Sequence, residues 1–321
     1  MKRADVFRVM IVVLGLACTI APGWAQSPPP YLLNPLSNSY ELGTRYWYSS
    51  GSFDKTLYDN TGSVLLSKLT YGGATGHAGE VYLNIADPNN WLLKGTVGIG
   101  RFAGGKLQDQ DFNLPIPPFS ESYSSTDSDM KRSSLNYASI DFGYYPLRGP
   151  RGKLGGFVGY HYLHEKLNAY GCTQTGGNTD ICVPAIPTSV LVITQENMWH
   201  SLRVGVIGDV MLTPNFRLSG EAAYLPYVKL DGADWHWLRI GTDFNGPTPE
   251  TGRGTGMQFE AILSYMVNEY FTVGVGGRYW RMSVPKGTAH FEQSAIGGGL
   301  QQVEKFKTER YGLFVQAGLK Y

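Results

Sequence analysis

From Ser39 to Tyr321 the chain keeps one pattern: apolar and polar residues alternate with period two over segments of roughly 12 to 20 residues. In the last segment Tyr311, Leu313, Val315, Ala317, Leu319 and Tyr321 share one parity, with Arg310, Gln316 and Lys320 on the other. The segments beginning at Met257 and Phe271 repeat it, setting Phe259, Leu263 and Val275 against Gln258, Glu260 and Arg278. Period two places successive side chains on opposite faces of a strand, so each segment has one face for lipid and one for a polar lumen. Tight turns fall at Asp87-Pro88-Asn89-Asn90, around Gly149-Pro150, at Thr213-Pro214-Asn215 and at Asn268-Glu269. Long polar connections alternate with them at about 52 to 62, 109 to 132, 171 to 190, 232 to 253 and 288 to 302. Short turns on one side and long loops on the other predict an all-β fold, a ten-stranded antiparallel transmembrane β-barrel of the outer-membrane type.

The N-terminus agrees with that compartment. Lys2, Arg3 and Arg8 precede an apolar run from Val9 to Ile20, and Gly23-Trp24-Ala25 supplies small residues at a cleavage site. Residues 1–25 therefore read as a secretory signal peptide, and the run is too short for a spanning helix. Residues 26–38 carry Pro28, Pro29, Pro30 and Pro35 and read as an extended leader; 39–321 is the barrel. Three cations and one anion leave with the signal peptide, taking the formal charge from +1 to −1, which provides no footprint for nucleic acid. The 21 tyrosines, 14 phenylalanines and 41 glycines suit short aromatic strands closing on themselves.

Two cysteines remain after processing, Cys172 and Cys182, inside a Gly/Thr/Asn-rich connection. In an oxidising compartment they read as a disulfide closing that loop; zinc would need partners at ligand spacing, and His161 and His164 lie back in the preceding strand. Lumen-side Arg217, Glu221, Glu260 and Arg278 carry both signs and predict a salt-bridged, plugged interior.

Two acidic motifs, Asp109-Gln110-Asp111 and Asp234-Trp235-His236, each end an alternating stretch. Strand geometry puts Asp109 and Asp111 on one face, and Asp234 and His236 on one face. If both faces point into one barrel mouth, they supply a histidine base oriented by a carboxylate and a second carboxylate pair to hold water. Crowded carboxylates raise at least one pKa, which keeps a proton available for a leaving amine. The chain lacks His-Glu-x-x-His and Gly-x-Ser-x-Gly, so the sequence carries neither a zinc-protease nor a serine-hydrolase signature.

With these motifs in place the chain resembles the omptin family of outer-membrane endopeptidases. Ser67-Lys68-Leu69, Asp109-Gln110-Asp111, Leu135-Asn136-Tyr137-Ala138, Gly159-Tyr160, Asp234-Trp235-His236 and the closing Ala317-Gly318-Leu319-Lys320-Tyr321 stand in family order across nearly all of residues 39–321. The resemblance implies His236 as general base, Asp234 orienting it, Asp109 holding the attacking water with it, and Asp111 assisting. It implies no metal and no cofactor, with lipopolysaccharide as an activator bound to the outer wall, where Tyr160 matches and Tyr162 and His164 depart from the family. It also implies peptide or protein substrates at the cell surface, cut near basic residues held by acids at Asp54 and Asp127. The acid the family carries two residues before the Asp of the second motif is Gly232 here, with Asp231 displaced by one. The other reading is a non-enzymatic barrel, either a narrow channel or an adhesion scaffold.

Overall fold

Backbone pairing turns the alternation into eleven antiparallel strands, seen in a computed structural model that describes residues 39–112, 122–177, 181–240, 246–291 and 300–321. The signal peptide and leader expected at 1–38 lie outside the described residues. In chain order the strands are β1 (Ser39–Tyr58), β2 (Leu65–Ala86), β3 (Trp91–Asp111), β4 (Ser124–Met130), β5 (Ser134–Gly149), β6 (Gly152–Gly177), β7 (Ile186–Met211), β8 (Phe216–His236), β9 (Thr248–Met266), β10 (Phe271–Phe291) and β11 (Leu300–Lys320). Neighbours in sequence pair with one another except β4 and β5, which share a place between β3 and β6, and β1 pairs with β11 from Glu41↔Lys320 to Tyr58↔Val303, which closes the ring. Closure removes the unpaired strand edges that a bilayer cannot solvate.

The ring has ten staves. β4 and β5 both lie between β3 and β6, β4 beside Lys106–Asp111 and β5 beside Trp91–Arg101, so the two are one stave interrupted at 131–133. Arg132 sits there with φ 50°, in the left-handed region that breaks strand geometry.

Polarity inverts along the staves. In the lower half the outer wall is apolar, with Val97, Ile99, Val158, Val206, Val275 and Leu313 all more than half exposed. The lumen behind it holds interlocked ion pairs. Arg278 donates to Glu80 at 2.5 Å and to Glu260 at 2.6 Å, Arg45 reaches Glu260 at 3.1 Å, and Arg203 bridges Asp141 at 2.6 Å and Glu221 at 2.8 Å. Lys94 also pairs with Glu221, and Arg217 with Glu41 at 2.9 Å. The salt-bridged interior read from the charges of Arg217, Glu221, Glu260 and Arg278 is therefore observed. In the upper half the same strands turn apolar residues inward and polar ones outward. Phe53 packs on Tyr71, Phe306 and Trp199, with Leu107 and Leu230 buried in the same core, while Lys106, Gln108 and Lys305 face out. The lipid belt ends near Ile99 on β3 and Tyr227 on β8. The strands then run on for roughly 30 Å as a soluble-style barrel with an oily centre.

Candidate active-site cleft

The upper core is capped by a cleft of about 330 Å³ at the barrel mouth, above the lipid belt. Asp109 and Asp111 reach it from the end of β3, Asp234 and His236 from the end of β8. All four residues singled out from the two motifs line this one cleft. The segments read as loops from 109 and from 232 are strand at these positions: Asp109 pairs with Leu69 of β2, Asp111 with Ser67, Asp234 with Gln195 of β7 and His236 with Ile193. Pairing fixes the backbone, and the i, i+2 spacing then aims both members of each motif the same way. Trp235 and Trp237 stack at 4.9 Å on the other side, and the Trp237 indole N–H donates to Thr194 Oγ1 at 2.9 Å, tying the turn Trp237–Arg239 to β7.

His236 Nε2 and Asp234 Oδ2 lie 3.1 Å apart. The same oxygen accepts from Lys55 Nζ at 2.5 Å. Lys55 comes from β1, across the mouth from β8, and also donates to Glu250 Oε1 at 2.7 Å and Gln195 Oε1 at 3.1 Å, with Glu304 Oε1 at 3.9 Å. Gln195 closes the network by donating to Glu250 Oε2 at 2.7 Å. Lys55, Asp234, Glu250 and Glu304 are all buried.

These contacts set the protonation of the cleft. Burial would push Asp234 up, but the Lys55 ammonium and then His236 outweigh it and hold its carboxyl well below the usual carboxylate range. Burial works against a charged His236, and the Asp234 carboxylate overcomes it, raising the imidazole. Asp109 is pushed up to about 7, first by burial and then by the Asp111 charge, with His236 opposing. Burial raises Asp111 as well, against a hydrogen bond from Ser67. Behind them burial raises Glu250 and, with Glu250 beside it, holds Glu304 well above the carboxylate range. One carboxyl that keeps its proton near neutrality thus shares a cleft with an imidazole pinned by an ionised aspartate. That combination suits water activation and proton transfer.

This barrel is similar to an outer-membrane protease. The solved structure of outer membrane protease OmpT from Escherichia coli matches with a TM-score of 0.70 at 18% identity, over 88% of this chain and 96% of that one. Two other barrels match more loosely. OprG from Pseudomonas aeruginosa has a TM-score of 0.37 at 9% identity, over 89% of this chain and 96% of that one. The translocator domain of the autotransporter NalP from Neisseria meningitidis has 0.36 at 12%, over 99% and 95%. No protein-family model matches the sequence, and no curated protein matches it. At this identity the likeness to OmpT is one of fold: an outer-membrane β-barrel.

The two acids expected to hold a basic substrate side chain are not in the cleft. Asp54 lies on the outward parity of β1 and faces Lys307 at 3.8 Å; Asp127 lies on the outward parity of β4 and faces Lys106 at 3.8 Å. Both fall in segments expected as connections, whereas both are strand, and a shift of one residue reverses the face. The inward neighbour of Asp54 is Lys55, which belongs to neither acidic motif. Its parity with Phe53 was the available signal. Gly232 makes room for Glu250, its partner on β9: a Cβ at Gly232 would stand 2.9 Å from Glu250 Oε2. Cys172 and Cys182 are bonded, with Cα atoms 5.7 Å apart, and line the cleft beside Ile186, Val192 and Ile193.

Proposed function

We propose that the protein is an outer-membrane endopeptidase that hydrolyses polypeptides at the cell surface without a metal or a covalent intermediate. The observation that carries this reading is the meeting of Asp109, Asp111, Asp234 and His236 in one cleft. A water held between Asp109 and His236 attacks the scissile carbonyl carbon as the imidazole accepts its proton. Asp234 fixes the ring and balances the imidazolium that forms. The tetrahedral intermediate collapses with its C–N bond breaking. The departing amine takes the proton retained by the Asp109 and Asp111 pair, and the imidazolium returns one to that pair. Asp109 Oδ1 is buried and accepts no hydrogen bond among the described residues, which suits it to hold water.

Lipopolysaccharide is part of the proposal as an activator on the outer wall. Tyr160, Tyr162 and His200 form an outward cluster there, with Tyr160 Oη 2.5 Å from His200 Nδ1 and the Tyr162 and His200 rings 5.1 Å apart. The salt-bridged lumen favours this reading over a channel, because paired charges fill the space that ions would cross. The test is cleavage of a peptide library by refolded protein supplied with lipopolysaccharide, compared with His236→Ala. Cleavage that survives the substitution in folded protein contradicts the proposal.

A further inference from the structure

The motif residues do not account for Lys55, a buried ammonium that crosses the barrel mouth to end on the oxygen that also meets His236. Its position is over-determined. Glu250, Glu304 and Gln195 hold it from β9, β11 and β7, so it cannot swing away from Asp234 without leaving a buried charge uncompensated. Asp234 is itself only 5% exposed and has no cation within bonding distance among the described residues apart from Lys55 and His236. Without that ammonium a buried carboxylate facing two more carboxyls would stay ionised only by keeping a proton on His236, and a protonated imidazole cannot act as the base.

We propose that Lys55 is a positioning residue for the hydrolytic reaction: it keeps Asp234 ionised and fixed against His236, and its charge restrains the basicity of that histidine. The kinetic part of this inference rests on the endopeptidase reading; the electrostatic part does not. Lys55 is not the only titratable or charged group facing the pair. Tyr71 of β2, Asp109 and Asp111 of β3, Glu250 of β9, Glu304 of β11 and Arg239 after β8 surround it, and all but Tyr71 and Arg239 are acids. Removing the ammonium takes away the one cation other than His236 that is bonded to Asp234 among the described residues, and the proton affinity of His236 rises.

The experiment compares Lys55→Met and Lys55→Arg with wild type by two readouts on refolded full-length protein. One is the pH profile of kcat/KM on a peptide the wild type cleaves. The other is the NMR titration of the His236 imidazole, which needs no substrate. Lys55→Met is expected to move both the acid limb and the titration up by about one pH unit, with roughly a tenfold loss of kcat/KM at neutral pH that recovers at higher pH. Lys55→Arg should restore both toward wild type. A role in packing alone would lower activity at every pH and leave the titration where it was, and that result overturns the proposal. If Lys55→Met does not refold, Lys55→Met/Glu250→Gln removes one charge of each sign and is measured in the same way; failure of both to refold assigns Lys55 to architecture and also overturns it. A wild type that cleaves no peptide while its His236 titration still answers to Lys55→Met would sink the endopeptidase reading and leave the coupling standing.

Discussion

Asp109 shows how the cleft trades stability for chemistry. Its folded pKa of about 7 lies above the value of about 3.9 expected in an unfolded chain, so the native state holds a proton that the unfolded state has released. Native stability from this group is intact below about pH 4 and declines as pH rises to about 7. Asp109→Asn should therefore raise the thermal midpoint more at pH 8 than at pH 4 while removing cleavage. An equal shift at both pH values would show that the carboxyl is not held proton-rich. Asp54 and Asp127 provide the opposite case, acids near the mouth that face outward. Replacing either with Ala should leave kcat/KM on basic peptides within about twofold, since exposed ion pairs of this kind contribute little; a large loss would place them in the substrate path after all. The four cleft residues were legible because i, i+2 spacing on a strand needs no knowledge of the loops. Lys55 and Glu250 were not, because their roles depend on which of two adjacent residues faces inward and on a partner from a remote strand.

At the scale of the strand, the turns and the lower staves were readable from alternation alone. The upper staves were not, because the apolar parity switches there: on β11 Leu313 and Val315 face lipid, whereas Phe306 faces the interior. One apolar face followed along β3 ends near Ile99, although the backbone ladder continues from Arg101 toward Asp111 with irregularities only near Gly104. Bilayer and water ask for opposite outer surfaces, and the switch marks the boundary between them. An outward arginine should report that boundary. Val97→Arg, two residues inside that boundary, is expected to cost about 1 to 2 kcal/mol in a lipid-refolding titration and Gln108→Arg close to nothing. Equal costs would mean the belt does not end where the exposed apolar residues do.

The whole molecule stacks three layers in one ring: a lumen locked by ion pairs within the lipid belt, an apolar core above it, and a polar cleft at the mouth. The ion-paired layer lines the lumen within the lipid belt and the apolar layer gives the long staves a core, so the cleft stands above both. Ring closure and a salt-bridged lumen followed from the sequence, since alternation, turn asymmetry and lumen charges of both signs are local features. The apolar layer did not, because its members are scattered over strands β1 to β11 and meet only when the ring closes. The central claim is that residues from β3 and β8 act on one water in that cleft. The direct measurement is kcat/KM on a peptide identified by library cleavage, for wild type, His236→Ala and Asp109→Asn, with folding of each checked by heat-modifiable gel mobility. Folded variants slowed at least about a hundredfold by either substitution are the expected result; folded variants that still cleave at the wild-type rate would contradict the account.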